Sequence, residues 1–151
     1  MTEGQIFEHL FSISDRSDDS NGIVTACLVR EGKVISEAVS MDDGVHAEYA
    51  LLKDASSGGI SILAADIVYT TVEPCSRRTP GGRGERMGDC ATNLIAAGVK
   101  HVVYAAKDPD AGETEERFRG AGVEMRQATD DQIVARAIKL FNSTSGSRQP
   151  A

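Results

Sequence analysis

The sequence predicts a layered α/β fold built on a mixed sheet of about five strands. Three observations carry this prediction. Segments patterned as strands alternate with segments patterned as helices along most of the chain. Two short apolar runs near the start are joined by a tight turn. A helical stretch separates the last two strand-like runs, so these two cannot form a hairpin and must run parallel.

Ile6, Phe7, Leu10, Phe11 and Ile13 recur at helical spacing and predict an amphipathic helix near residues 4 to 14. The polar run Asp15 to Asn21 ends it. Ile23 to Arg30 and Val34 to Val39 are rich in small and β-branched residues, and the turn Glu31-Gly32-Lys33 between them predicts a β-hairpin. Asp42-Asp43-Gly44 forms a loop. From His46 to Ala55 the residues Ala47, Ala50, Leu51, Leu52 and Ala55 predict a helix with His46 and Glu48 in its first turn. Gly58-Gly59 breaks the chain, and Asp66 to Val72 reads as a third strand leading into Pro74-Cys75. Ser76 to Asp89 holds Pro80 and Gly81-Gly82 and is expected to be irregular. A helix opening at Cys90 is closed by Gly98, and His101 to Ala106 is the fourth strand. After the loop Lys107 to Gly112, a short helix spans Glu113 to Arg119 and stops at Gly122. Val123 to Met125 is the fifth strand, and Asp130 to Phe141 the last helix, with Ile133, Ala137, Ile138 and Phe141 on one face. One domain over residues 1–142 is expected, followed by a tail over 143–151, rich in Ser, Gly and Gln, expected to be disordered.

With 40% hydrophobic and 26% charged residues, the chain has the composition of a soluble globular domain. No stretch approaches the roughly 18 apolar residues of a membrane helix, and the N-terminus lacks the basic start and apolar run of a signal peptide. A cytoplasmic location with no membrane partner is therefore expected. Three cysteines, an odd number, favour metal binding or free thiols over a disulfide framework. A net charge of −7 disfavours a broad phosphate-tracking surface, and Tyr104 and Phe118 alone make no stacking platform for bases. Small-molecule chemistry gains by that, and nucleic acid is not expected as a partner.

The residues with the strongest chemical content are His46-Ala47-Glu48, Pro74-Cys75 and Cys90. One imidazole and two thiolates can bind Zn2+ while leaving a fourth tetrahedral position for water, and Glu48 is placed two residues from His46 to move that water's protons. A purely structural zinc is normally closed by four protein ligands, which this set does not supply. Cys27 lies in the apolar run Ala26 to Val29 and reads as a small buried hydrophobe. His9 and His101 have no ligand-like spacing around them.

The pattern H-x-E, then P-C, then a further Cys resembles the zinc deaminase signature, in which the Glu is a general acid/base and not a ligand. Its usual short form is P-C-x-x-C, whereas residues 76 to 89 separate the two cysteines here. Thr71 to Ser76, Cys90 to Val99 and Lys107 to Asp110 further resemble the diaminohydroxyphosphoribosylaminopyrimidine deaminase domain of bacterial riboflavin biosynthesis, which also carries a long insert between its zinc cysteines. The likeness continues through Phe118 to Val123 and to the helix around Phe141. It implies a cytidine-deaminase-like three-layer α/β/α sandwich, Zn2+ held by His46, Cys75 and Cys90, and Glu48 as the catalytic acid/base. It also implies a homo-oligomer, and hydrolysis of an exocyclic amine on a pyrimidine-type ring to a carbonyl with release of ammonia.

Two further site expectations concern the substrate. The family's N-P-x-V-G stretch is replaced by Asn21-Gly22-Ile23-Val24-Thr25, so only Asn21 is retained as a substrate contact. Within residues 76–89, Arg77, Arg78, Arg83 and Arg86 face only Glu85 and Asp89. Arg77 and Arg78 are therefore expected to grip the phosphate of a phosphoribosyl aminopyrimidine or nucleotide. A nucleic-acid-editing deaminase and a catalytically silent zinc-binding module are the alternatives, the latter opposed by Glu48, which a metal-only role does not require.

Overall fold

The computed structural model describes residues 1–78, 80–82 and 84–143. Arg83 and all but the first residue of the expected tail 143–151 lie outside the described residues. The elements follow the order α1 (Glu3–Ser12), β1 (Thr25–Arg30), β2 (Lys33–Val39), α2 (Ala47–Ser57), β3 (Ile67–Val72), α3 (Cys90–Ala96), β4 (His101–Ala106), α4 (Thr114–Gly120), β5 (Glu124–Gln127) and α5 (Asp131–Phe141). Helix α1 begins in a capping box: Thr2 Oγ1 accepts the Gln5 N–H at 3.2 Å, and Gln5 Oε1 accepts the Thr2 N–H at 2.8 Å.

The sheet has the order β2-β1-β3-β4-β5. β1 is antiparallel to β2 and to β3, while β3, β4 and β5 run parallel, as the intervening helices require. Side chains alternate across it with period two. Ala26, Leu28, Val68 and Val102 enter a core with Leu51, Leu94 and Phe118 from α2, α3 and α4. Cys27, Val29, Tyr69 and Val103 enter a second core with Phe7, Leu10 and Ala137 from α1 and α5. Helices on both faces bury β3 and β4 almost end to end, which is why neither strand alternates apolar with exposed polar residues. The result is the expected α/β/α sandwich.

Two elements depart from the reading of the sequence. Strand β5 spans Glu124–Gln127 and not 123–125, because its pairing with His101 to Tyr104 of β4 sets its length, and polar side chains are tolerated at a sheet edge. On α5 the buried stripe is Ile133, Ala137 and Phe141, with Leu140 packed beside it, whereas Ile138 is 46% exposed. One residue past Ala137 is a rotation of about 100° around the helix, which takes Ile138 off the core face. Among the described residues no helix is long and apolar enough to cross a membrane.

The topology brings four connections to one end of the sheet: the approach to β1, the β2–α2 loop, and the segments that follow β3 and β4. This is the carboxyl end of the parallel strands, where open α/β sheets place their ligands.

Candidate metal centre and active site

Each putting-together of the site begins with a local choice of backbone. His46 is the N-cap of α2 in extended conformation, so Glu48 falls in the first helical turn, where it is buried. Cys90 is the first residue of α3, whose N-cap Asp89 accepts the Thr92 N–H at 2.9 Å. Cys75 sits in the coil after β3 and not on a helix. It still feels a helix terminus, because its Sγ lies 3.4 Å from the Cys90 N and accepts that N–H.

These three residues converge. The imidazole nitrogen and the two sulfurs lie within 4.8 Å of one another, with His46 Nδ1 3.3 Å from Cys90 Sγ and 3.6 Å from Cys75 Sγ. Ordinary zinc bond lengths at a tetrahedral angle put nitrogen and sulfur about 3.6 Å apart, so the triangle fits Zn2+ with a fourth position left for a non-protein ligand. The two thiols divide their charge. Hydrogen bonding from the Cys90 side chain, with His46 and the Cys90 N–H adding to it, pulls Cys75 down to about 4, while the same pairing and full burial push Cys90 up.

Glu48 lies beside the triangle, 3% exposed. Burial is the largest influence on it and raises its carboxyl from the ordinary 4.5 to about 7, against the opposing pull of His46 and Arg78. Glu48, His46 and Cys75 open into a cavity of about 90 Å³ that Asn21, Gly22 and Phe141 also line. Asn21, expected from the sequence as a substrate contact, is among the residues that line this cavity. Phe141, Asp19 and Asp108 line the cavity too, and sequence reasoning missed all three. Their only sequence signals were a core-facing pattern, a polar run after α1 and a loop. Glu73 also borders the cavity and accepts the Asp108 N–H at 3.3 Å.

The arginines are arranged differently from one another. Arg78 spans two loops, donating Nη1–H to Gly44 O at 3.0 Å and Nε–H to Gly88 O at 2.8 Å. Its Nη2 is buried with no hydrogen-bond partner among the described residues. Gly84 must be glycine for this clasp to form, since a Cβ there would come within 2.3 Å of Arg78 Nη1. Arg77 is exposed, and its stem passes close to Gly112. Neither arginine lines the cavity. A larger hollow of about 430 Å³ between α4 and the β4–β5 edge contains none of the site residues.

Comparison with known proteins agrees with this geometry. Residues 2–106, which include all three candidate ligands, match the family model of the cytidine and deoxycytidylate deaminase zinc-binding region. The riboflavin biosynthesis protein RibD of Haemophilus influenzae is 34% identical over 110 residues, which is 69% of this chain and 26% of that protein. The chain spans roughly a quarter of the length of the curated relatives it matches. Among solved structures, RibD of Acinetobacter baumannii superposes with a TM-score of 0.70 at 25% identity, covering 91% of this chain and 38% of that one. The dCMP deaminase of cyanophage S-TIM5, solved with dCMP and dUMP, shares the fold at a TM-score of 0.65 and 19% identity, over 85% of this chain and 99% of that one. The chain belongs to the cytidine and deoxycytidylate deaminase zinc-binding family.

Proposed function

We propose that this protein is a zinc-dependent hydrolytic deaminase that converts an exocyclic amine on a pyrimidine-type ring to a carbonyl. The observation that carries the reading is a buried carboxylate, Glu48, in one small cavity with two members of a His-Cys-Cys triangle of zinc dimensions. Zinc, when bound, would be held by His46, Cys75 and Cys90 and would supply Lewis acidity that lowers the pKa of a coordinated water toward about 7.

The chain's own residues supply the rest. Glu48, near 7 by burial, can both take and give a proton at neutral pH, which suits a general acid/base. In the overall reaction a C–O bond forms between water and the ring carbon, and the C–N bond to the amine breaks. One water proton passes by way of Glu48 to the ring nitrogen and the other to the departing amine, which leaves as ammonia. Val24, Val72 and Phe141 give the cavity apolar walls that keep bulk water from the reacting carbon. Asn21, with both amide donors and an acceptor, is assigned to orienting the ring.

A phosphorylated substrate is a second reading, supported by the exposed Arg77 and the unpartnered Arg78 Nη2. The relatives named for riboflavin biosynthesis support it as well. We further assign the chain to one domain over 1–142, a homo-oligomer and a cytoplasmic location, the last supported by three cysteines with no disulfide among them. The test is ammonia release by zinc-loaded protein from a panel of aminopyrimidine bases, nucleosides and nucleotides, with metal content measured in parallel. Release is expected from at least one ring type; zinc-loaded protein inert toward every member would overturn the assignment.

A further inference from the structure

Among the described residues, the cavity that reaches Glu48 is lined by acidic groups and by no lysine or arginine. Beyond Glu48 it is bordered by Asp19, Glu73 and Asp108, and among the described residues none of these three forms an ion pair. Asp19 is 8% exposed, and its Oδ1 accepts the Asn21 N–H at 2.9 Å, which fixes the carboxylate beside the residue assigned to the ring. Among the described cations, Arg78 acts on Glu48 and Cys90 and has two of its nitrogens on backbone carbonyls, and Lys107 acts on Glu73.

The way out is acidic too. A cavity of about 90 Å³ is well below the usual volume of a ligand cleft, so a sugar or phosphate attached to the ring must lie outside it. The adjoining hollow of about 420 Å³ shares Glu73 and Asp108 and adds Glu115 and Glu116. Among the described residues Lys107 is the one cation lining it, with Arg77 alongside over Gly112. A phosphate outside the cavity meets the half-buried carboxylates of Glu73 and Asp108, where like charges repel more strongly than in bulk water, and the exposed Glu115 and Glu116, of which Glu115 pairs with Arg119.

We infer, resting on the deaminase reading, that the site takes an uncharged or cationic aminopyrimidine-type base or nucleoside and discriminates against its phosphorylated form, with Asp19, Glu73 and Asp108 as specificity-determining residues. This sets the charge pattern of the cavity against the phosphate grip of the second reading, and names the substrate class as one without phosphate.

The experiment uses zinc-loaded full-length protein and matched pairs, each ring as nucleoside and as its 5′-monophosphate, with cytidine and cytidine 5′-monophosphate among them. The expected kcat/KM ratio favours the nucleoside by at least about tenfold at low salt and narrows as ionic strength rises. Asp19→Asn keeps the acceptor for Asn21 and is expected to lower that ratio severalfold with zinc content unchanged. Ammonia release with equal or better use of the phosphorylated member would overturn the inference and leave the deaminase reading intact. A ratio that Asp19→Asn, Glu73→Gln and Asp108→Asn all leave unmoved would overturn the residue assignment. Zinc-loaded protein releasing ammonia from no pair would remove the deaminase reading, and the inference with it.

Discussion

Gly22→Ala tests how the cavity wall is built. Gly22 has φ +127°, a region that L side chains rarely adopt, and a Cβ there would lie 2.8 Å from Phe141 O and 2.9 Å from two atoms of the Phe141 ring. The backbone strain costs about 1–3 kcal/mol and the overpacking about 1–3 kcal/mol more. Together they predict a destabilisation of about 2–6 kcal/mol, a lowering of Tm on the order of 10 °C for a chain of this size. Phe141→Ala alone, at a buried position, costs about 3–4 kcal/mol through lost burial and the cavity left behind. In the double variant the ring clash is gone while the carbonyl contact and the φ strain stay. Its cost should fall short of the sum of the single costs by about 1–2 kcal/mol. Urea denaturation followed by circular dichroism, with m-values checked for constancy, measures all three. Gly22→Ala within about 0.5 kcal/mol of the parent, or strictly additive costs, would refute the close packing of Gly22 on Phe141.

Cys75→Ala or Cys90→Ala should leave protein that no longer retains about one zinc per chain after dialysis, because two remaining protein ligands hold the ion poorly; stoichiometric zinc by metal analysis would remove that cysteine from the ligand set. Glu48→Gln should retain zinc and lose roughly 10²- to 10⁴-fold in kcat, the usual worth of a positioned acid/base. A variant that turns over within a few-fold of the parent would show that another group moves the proton. The guanidinium of Arg30, bonded to both oxygens of buried Asp66 at 2.8 and 2.9 Å, holds the Asp66 carboxyl below its ordinary 3.8. A depressed folded-state pKa adds stability above the ordinary value and loses it as pH falls through the folded one. Asp66→Asn should therefore flatten the stability profile below about pH 4. Parallel acid-unfolding curves for parent and variant would count against the pairing.

Patterns that act locally were the legible part of this sequence. The caps, turns and apolar periods of α1, α2, α3 and the β1–β2 hairpin are written within a few residues of where they act, so their boundaries emerged to within a few positions. The ligand triangle was legible because metal chemistry restricts it to very few residue types. The cavity lining was not, since Asp19, Asp108 and Phe141 come from three separate segments and meet only after the sheet has ordered them. Each also had an adequate local explanation, as helix terminator, loop residue or core contact, and nothing in a local pattern competes with that. The fate of Arg78 was equally hidden, because a clasp between Gly44 and Gly88 depends on two loops that are neighbours in space alone.

The fastening of Cys75 to the start of α3 has a consequence for how such sites diversify. Cys75 O accepts the Ala91 N–H at 2.9 Å while its sulfur accepts the Cys90 N–H, so the two ends of the intervening segment are tied directly to each other. Whatever lies between them hangs from a closed neck. The entropy of closing such a segment grows only with the logarithm of its length, so residues can be gained or lost there at small thermodynamic cost and without shifting either sulfur. A two-residue spacer and the 14-residue one of this chain can then present the same triangle of donors. The segment becomes a module that can be exchanged to alter what approaches the ring, with Arg78 as its one stated tie to Glu48 and Cys90 beneath it.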